Sequence, residues 1–445
     1  MGNCFEESRK WRCVKSRRQM YSEGARSCAL FHLGWVRRLA CFLPKTFRTL
    51  IAACLLMPAF LPNTAAQSRD YRFTADQGSV RVPFELANDL IVLKVRVNSS
   101  RPLHFIFDTG ASISVIDPQT AKALGLRAKG KLNLDATGGS VQSGLIGPVS
   151  LSLAGVTVFR QTLATIDLDV IAPLFGYKID GIIGHDFINN FVVELDYAAG
   201  LMSLYETASY KYSGAGESIP IELVEKTPFA RGRIVLHGRE PIEGKFEVDT
   251  GGTGTLSLNT PFVNKHKMLE TLTTHAQSKL GGAGGAGDAV KAHVPAVELG
   301  SLVVKNPPVV FAQGTQGSEG SAEYDGELGA GLFSQFKTIL DYSRSRIILE
   351  RNQNVSTAKD LSGLDIVAEP PRFRTYVVNG VAADSPAAVV GVQEEDTILA
   401  VDGQATARLT LRELRRLFTR PGERVLSVRR GSKTIRLRLR LQTAF

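Results

Sequence analysis

The tripeptide Asp-Thr-Gly occurs twice in this chain, at Asp108-Thr109-Gly110 and at Asp249-Thr250-Gly251. Each copy follows an apolar strand-like run, Phe105-Ile106-Phe107 in one case and Phe246-Glu247-Val248 in the other. Each precedes a second run, Ile113 to Ile116 and Thr255 to Leu258. Either copy alone reads as an ordinary turn, because Asp and Gly both favour turns. As a pair they constrain the chain much more. Two carboxylates brought to one place can share a proton, so that one acts as a base while the other acts as an acid.

The surrounding sequence repeats as well. Asp180-Gly181-Ile182-Ile183-Gly184 returns as Asp325-Gly326-Glu327-Leu328-Gly329. Continuing without a gap, Phe191 matches Phe336, Leu195 matches Leu340, and Asp196-Tyr197 matches Asp341-Tyr342. A repeat of this length predicts two related halves with a cleft where they meet. Between the motifs each half has a glycine-rich stretch. Thr137-Gly138-Gly139 lies between alternating runs and reads as a hairpin tip. Gly281 to Gly287 reads as a mobile loop. Neither is a phosphate loop, since no Gly-Lys-Ser/Thr follows.

The two halves resemble the lobes of retropepsin-like and pepsin-like aspartic proteases. The resemblance is carried by Phe-Asp-Thr-Gly-Ala-Ser at 107–112, by Val-Asp-Thr-Gly-Gly-Thr at 248–253, and by the downstream Ile182-Ile183-Gly184 and Glu327-Leu328-Gly329. It spans roughly residues 80–350. It implies that Asp108 and Asp249 form the catalytic pair, that Thr109 and Thr250 cross-brace the two loops, and that Gly110 and Gly251 allow the backbone path and offer N–H groups. It also implies a strand behind each loop, and a flap over substrate at Thr137, Gly138 and Gly139. The dyad would activate water for attack on a peptide carbonyl, with no cofactor or metal.

Three positions depart from the pepsin-like pattern. Ala111 and Gly252 stand where those enzymes carry a hydroxyl, so fewer donors face the anions and the dyad is expected to titrate higher. Activity is therefore expected at mildly acidic to near-neutral pH, and an optimum below about pH 3 would count against this. Glu327 stands where an apolar residue is expected, and Gly252 leaves the second loop less constrained. The lobe carrying Asp249 is thus expected to have the weaker support.

The chain has 445 residues, 44% apolar and 22% charged, with abundant glycine and few long helical periodicities. That profile predicts a mainly β protein of several domains. The net charge of +10 sits at the ends: residues 1–50 hold 11 Lys and Arg against 3 Glu, and residues 361–445 hold 14 against 9 acidic residues. No aromatic-interleaved basic surface lies between them, which excludes a nucleic-acid partner as the reading. All five cysteines lie in the first 54 residues, so neither thiol nor Cys–metal chemistry is available beyond them. The histidines lack metal-ligand spacing, and no Gly-x-Ser-x-Gly elbow occurs. His185-Asp186 has Ala330-Gly331 as its counterpart, so it is not a symmetric part of the machinery. Asp186 is expected to cap a short helix.

Lys45 and Arg48, the apolar run Leu50 to Leu61, and Thr64-Ala65-Ala66 read as a secretory signal peptide behind a long basic leader, cleaved near Ala66. Export to a periplasm follows; the alternative is an uncleaved membrane anchor. Ile51-Ala52-Ala53-Cys54 resembles a lipoprotein cleavage box, but the apolar run mostly follows the cysteine.

After a polar linker at 351–360, the sequence Asp384-Ser385-Pro386-Ala387-Ala388, Val390-Gly391-Val392 and Asp396-Thr397-Ile398-Leu399 through Asp402-Gly403 resembles a bacterial PDZ domain. Glu395-Asp396 replaces the usual Gly-Asp. Thr410-Leu411-Arg412-Glu413 is a capping box, and Arg429 to Leu441 reads as a strand with one basic face. PDZ domains bind peptide carboxyl termini beside a carboxylate loop and a helix. Gly363, Leu364, Asp365 and Ile366 are the candidate loop, and Leu411 the candidate helix contact. The chain ends Thr443-Ala444-Phe445, a sequence suited to such a groove.

The expected organisation is a signal peptide and leader at 1–66, protease-like lobes at 67–210 and 211–350, the linker, and a PDZ domain at 361–442. The expected partners are a polypeptide substrate and a C-terminal peptide, with a membrane only if the amino-terminal segment stays attached. The alternative from another class is a non-catalytic peptide-binding protein that uses both cleft and groove.

Overall fold

The computed structural model describes residues 70–442, apart from 75–77, 137–138, 273–274, 283 and 353–359. The expected signal peptide, most of the linker, and Thr443-Ala444-Phe445 lie outside the described residues. So do Thr137 and Gly138.

The chain is mainly β because most of its apolar residues alternate or cluster in short β-branched and aromatic runs. Leu90–Val97 is typical: its first half is buried throughout, then Val95 and Val97 point inward while Lys94 and Arg96 point out. In the first lobe Leu103–Phe107 pairs antiparallel with Leu90–Val97. On its other side it runs parallel to Gly181–Ile183, which in turn pairs antiparallel with Val115–Ile116. The second lobe repeats the pattern with Thr227–Val235, Ile242–Val248, Gly326–Leu328 and Leu256–Leu258.

Six neighbouring strands of a larger sheet join the lobes, in the order Ser79–Pro83, Leu201–Glu206, Phe191–Asp196, Phe336–Asp341, Arg346–Arg351 and Glu217–Val224. The repeated segments form their antiparallel centre, with Val193 opposite Leu340 and Asp196 opposite Lys337. The strand order therefore reads the same from either edge, as a duplicated unit facing its copy requires. Phe105, Phe107, Phe187 and Phe191 of the first half share one core with Phe246, Phe311, Phe333 and Phe336 of the second.

The PDZ domain has its own core, built on Ile366, Tyr376, Leu414 and Phe418. Its helix Leu411–Arg416 starts with both halves of the Thr410–Glu413 capping box in place. Glu395 takes a left-handed φ of 68°, the conformation that favours glycine at this point. Asp396 is buried and receives Arg430 on both oxygens, at 2.8 and 2.7 Å. The basic carboxy-terminal run is a hairpin rather than one strand: Gly422–Arg430 turns at Gly431 into Lys433–Leu441.

Candidate active site

The loops carrying Asp108 and Asp249 begin where the strands Leu103–Phe107 and Ile242–Val248 end. The parallel neighbour fixes each loop from behind. Asp108 N–H donates to Ile183 O at 3.0 Å, and Asp249 N–H to Leu328 O at 2.9 Å. One turn later His185 N–H bonds Ala111 O, and Ala330 N–H bonds Gly252 O, both at 2.8 Å. Glu327 thus leaves the backbone support of the second loop intact. The second loop is tied further by Gly331 N–H on Gly254 O at 2.7 Å and Gly329 N–H on Thr255 O at 3.2 Å, and the first is tied further through side chains. Asp186 accepts from Ser114 N–H at 2.6 Å and from its hydroxyl at 2.8 Å, and Gly184 N–H donates to Ser114 Oγ at 2.9 Å. Asp186 therefore ties loop to helix instead of capping its own helix, whose N-cap is Gly184 without a side-chain cap.

The two loops are bolted together through their threonines. Thr109 N–H donates to Thr250 Oγ1 at 3.1 Å, and Thr250 N–H to Thr109 Oγ1 at 2.9 Å. Each hydroxyl then donates to the opposite strand end, Thr109 to Val248 O at 2.5 Å and Thr250 to Phe107 O at 3.1 Å. Both threonines are buried. Thr250→Val removes one acceptor and one donor and leaves Thr109 N–H and Phe107 O without partners in a dry site. An orphaned buried group costs about 1–3 kcal/mol, so a loss of that size in urea unfolding is expected, with a matching fall in any activity.

Gly110 and Gly251 do not take a left-handed backbone. Their constraint is space. A Cβ on Gly251 would stand 2.5 Å from Asp108 Oδ2, and one on Gly110 would stand 2.9 Å from Asp249 Oδ1. Each glycine lies against the carboxylate of the opposite lobe, so only a bare Cα lets the two acids meet.

The two carboxyls face each other, and each acts on the titration of the other. Gly110 and Ala111 N–H groups reach Asp108 Oδ1 at 2.8 and 3.1 Å, and Gly251 N–H reaches Asp249 Oδ1 at 2.8 Å. Burial raises Asp108 well above the ordinary carboxylate range, and the neighbouring Asp249 charge raises it further. Burial also raises Asp249, opposed by hydrogen bonds from Asp108 and from the Gly251, Gly110 and Gly252 amides. The pair titrates as a unit, with one proton shared between its two carboxyls.

Beside the dyad the lobes differ in chemistry. In the first lobe Ile106 faces Ile182 across the parallel pair, and Val115 faces Ile182 from the other side. In the second lobe the same three places are Glu247, Glu327 and Ser257. Glu247 Oε1 lies 2.8 Å from the point where a Gly110 Cβ would stand, next to Asp249. Burial lifts Glu247 well above the usual range, with the Glu327 charge second. Burial followed by the Asp249 charge pushes Glu327 up to about 7. Nothing in the local pattern singles out Glu247; only its register partner, Glu327, breaks the expected apolar-apolar-Gly. Setting the two repeats side by side, with Ile106 against Glu247 and Ile182 against Glu327, is the signal that would have found the pair.

Gly139 opens the strand Gly139–Leu153 of the first-lobe hairpin. A Cβ there would stand 3.0 Å from Gly284 O. Gly284 sits between Ala276–Gly282 and Gly285–His293, which pair as a hairpin in the second lobe. The second glycine-rich stretch is thus a hairpin tip, not an irregular loop, and the tips of the two lobes touch. Away from this site, Asp117, Asp167 and Asp169 bring carboxylate oxygens within 4.8 Å of one another. Lys178 Nζ, 2.8 Å from Asp117 Oδ1, supplies the cation there.

In the PDZ domain Leu364, Ile366 and Leu411 are buried. Asp365 accepts from Asn379 Nδ2 at 2.7 Å. Gly363 takes a left-handed φ of 75° against Ser385, and its N–H donates to Asp360 Oδ1 at 2.8 Å.

A bilobal β fold with two facing Asp-Thr-Gly loops and a PDZ domain after it is the architecture of an aspartic-protease-like protein. Comparison with known proteins agrees: residues 93–187 match the aspartyl protease family model, and residues 377–430 match a PDZ domain model. The aspartic proteinase from Irpex lacteus is a similar solved structure, at 14% identity and a TM-score of 0.40, covering 63% of this chain and 99% of that one. No curated protein matches the chain.

Proposed function

We propose that the chain is an aspartic endopeptidase in which Asp108 and Asp249 hydrolyse peptide bonds. The observation that carries this reading is the pair of facing carboxyls, each against the glycine of the other lobe, on loops that Thr109 and Thr250 lock in register. Asp249, ionised, takes a proton from a water as its oxygen bonds to the peptide carbonyl carbon. Asp108, protonated, gives its proton to the carbonyl oxygen. The resulting gem-diol collapses when Asp249 returns its proton to the amide nitrogen, the C–N bond breaks and Asp108 takes back a hydroxyl proton, leaving a carboxylic acid, an amine and the singly protonated dyad. Preorganised N–H donors hold the anion throughout at no cost in reorganisation.

Both lobes come from one chain, so one chain carries a complete dyad. The touching hairpin tips at Gly139 and Gly284 would part to admit an extended polypeptide. We further propose that the amino-terminal segment directs export, which places the substrate outside the cytoplasm.

The test is incubation of the purified protein with an unfolded polypeptide between pH 4 and 7, with new termini read by mass spectrometry. Cleavage at internal bonds, blocked by pepstatin and unaffected by chelator, is expected. No cleavage anywhere in that range, with pepstatin failing to bind, rejects the proposal.

A further inference from the structure

The groove of the PDZ domain is already filled by this chain. Leu364–Glu369 is the outer strand of the domain and pairs on one side only, with Thr375–Val381. The helix Leu411–Arg416 packs beside it, so the strip between strand and helix is where an added peptide would lie. The short helix Ala172–Phe175 of the first protease lobe packs on that same strand. At its end Gly176 adopts a left-handed φ of 76°, and a Cβ there would stand 2.8 Å from Leu411 Cβ. Arg415 stitches the contact. Its Nη2 donates to Ile366 O at 2.6 Å, while its Nη1 donates to Leu174 O at 3.1 Å and to Asn88 Oδ1 at 3.4 Å.

The carboxylate loop is satisfied too. Asp360 Oδ1 accepts from Ser362 N–H and Gly363 N–H, both at 2.8 Å, and from Ser362 Oγ at 2.7 Å. Leu364 N–H donates to Ser362 Oγ at 3.1 Å. An internal carboxylate thus uses the amides that would receive the terminal carboxylate of a peptide.

We propose that the 172–176 segment of the first lobe is the resident ligand of the PDZ groove, and that a foreign peptide with an apolar, free C-terminus binds only by displacing it. This rests on the PDZ domain being a peptide-binding fold and is independent of whether the dyad hydrolyses anything. The clamp has a reason to matter. The loop that it holds contributes Ile166, Leu168, Phe175 and Ile179 to one cluster with Ile106 and Val115, the strands on either side of Asp108. Occupancy of the groove therefore fixes the wall of the first-lobe cleft, and displacement frees it.

A binding site that is open only in a minor population has its apparent Kd raised by the inverse of that fraction. With the groove closed nine times in ten, opening it should tighten peptide binding about tenfold. The test uses the full chain and a labelled eight-residue peptide ending in Phe with a free carboxylate, read by fluorescence anisotropy. Gly176→Trp, on the lobe's side of the contact and outside the dyad, drives a side chain into Leu411 and unseats the segment. It is expected to bind the peptide about tenfold more tightly than the parent, and to exchange the amides of Leu364–Glu369 faster. Equal affinity in the two proteins, including no binding in either, overturns the proposal. If Gly176→Trp does not fold, Arg415→Ala is read by hydrogen exchange alone. Faster exchange across 172–177 supports the clamp, and unchanged exchange overturns it.

Discussion

Asp108→Asn and Asp249→Asn are each expected to lower kcat by about 10²- to 10⁴-fold, the range over which a positioned acid or base contributes. Either change leaves the brace and the lobe cores untouched, since Asn matches Asp in shape and its carbonyl oxygen can still accept the Gly110 or Gly251 N–H. The double variant is expected to be no worse than either single one, because the two groups act as a unit. The single variants should differ in titration. Without the Asp249 charge, Asp108 loses the second largest cause of its elevation and moves down, while burial still holds it above the ordinary range. Carboxyl titration of Asp249→Asn by NMR, beside kcat against pH for the parent, checks both statements. Activity retained in either single variant would remove that carboxyl from the chemistry and with it the reading of the pair as a dyad.

The loops were legible in the sequence because their signal is local. A turn tripeptide, the strand before it and the apolar-Gly element after it are each a few residues long, and duplication shows every one of them twice. What could not be read is what depends on register between distant strands. Glu327 looks like damage to its own motif until it is placed opposite Glu247, and that pairing exists only once Ile242–Val248 and Gly326–Leu328 run parallel. The close approach that Gly110 and Gly251 permit was hidden for the same reason. Their neighbour is not the local turn but a carboxylate from the other half of the chain. The strand and helix of the PDZ domain could be picked from the local pattern, whereas the first-lobe segment packed against them could not, since Arg415 and Leu174 lie 241 residues apart.

The acidic pair beside the dyad should make the protein less stable as pH rises, opposite to the usual behaviour of carboxylates. A group whose pKa is raised by folding keeps its proton in the native state after the unfolded chain has released it. Its stabilising contribution is complete below the unfolded value and is lost as pH rises through the folded one. For Glu327 the window runs from 4.5 up to about 7, and over it the contribution lost is on the order of 3 kcal/mol. Glu247, raised by burial and by Glu327, acts in the same direction, as do Asp108 and Asp249.

Asp396 of the PDZ domain behaves in the opposite way. Burial would raise Asp396, but hydrogen bonds from Arg430 and the Gln393 amide, with the Arg430 charge, together outweigh it and hold it below its ordinary value. Its contribution is present above the unfolded value and lost as pH falls through the folded one. Maximum stability is thus expected in mild acid, with the second lobe loosening first on the alkaline side. Thermal melting should show Tm several degrees lower at pH 8 than at pH 5. Glu327→Gln, which keeps the hydrogen-bonding shape and removes the charge, should recover part of that difference, and Glu247→Gln with Glu327→Gln most of it. The dyad's own proton would account for the remainder. If parent and double variant melt in parallel across this range, the two glutamates are ionised in the folded protein, and the acidic wall beside Asp249 would carry a standing negative charge.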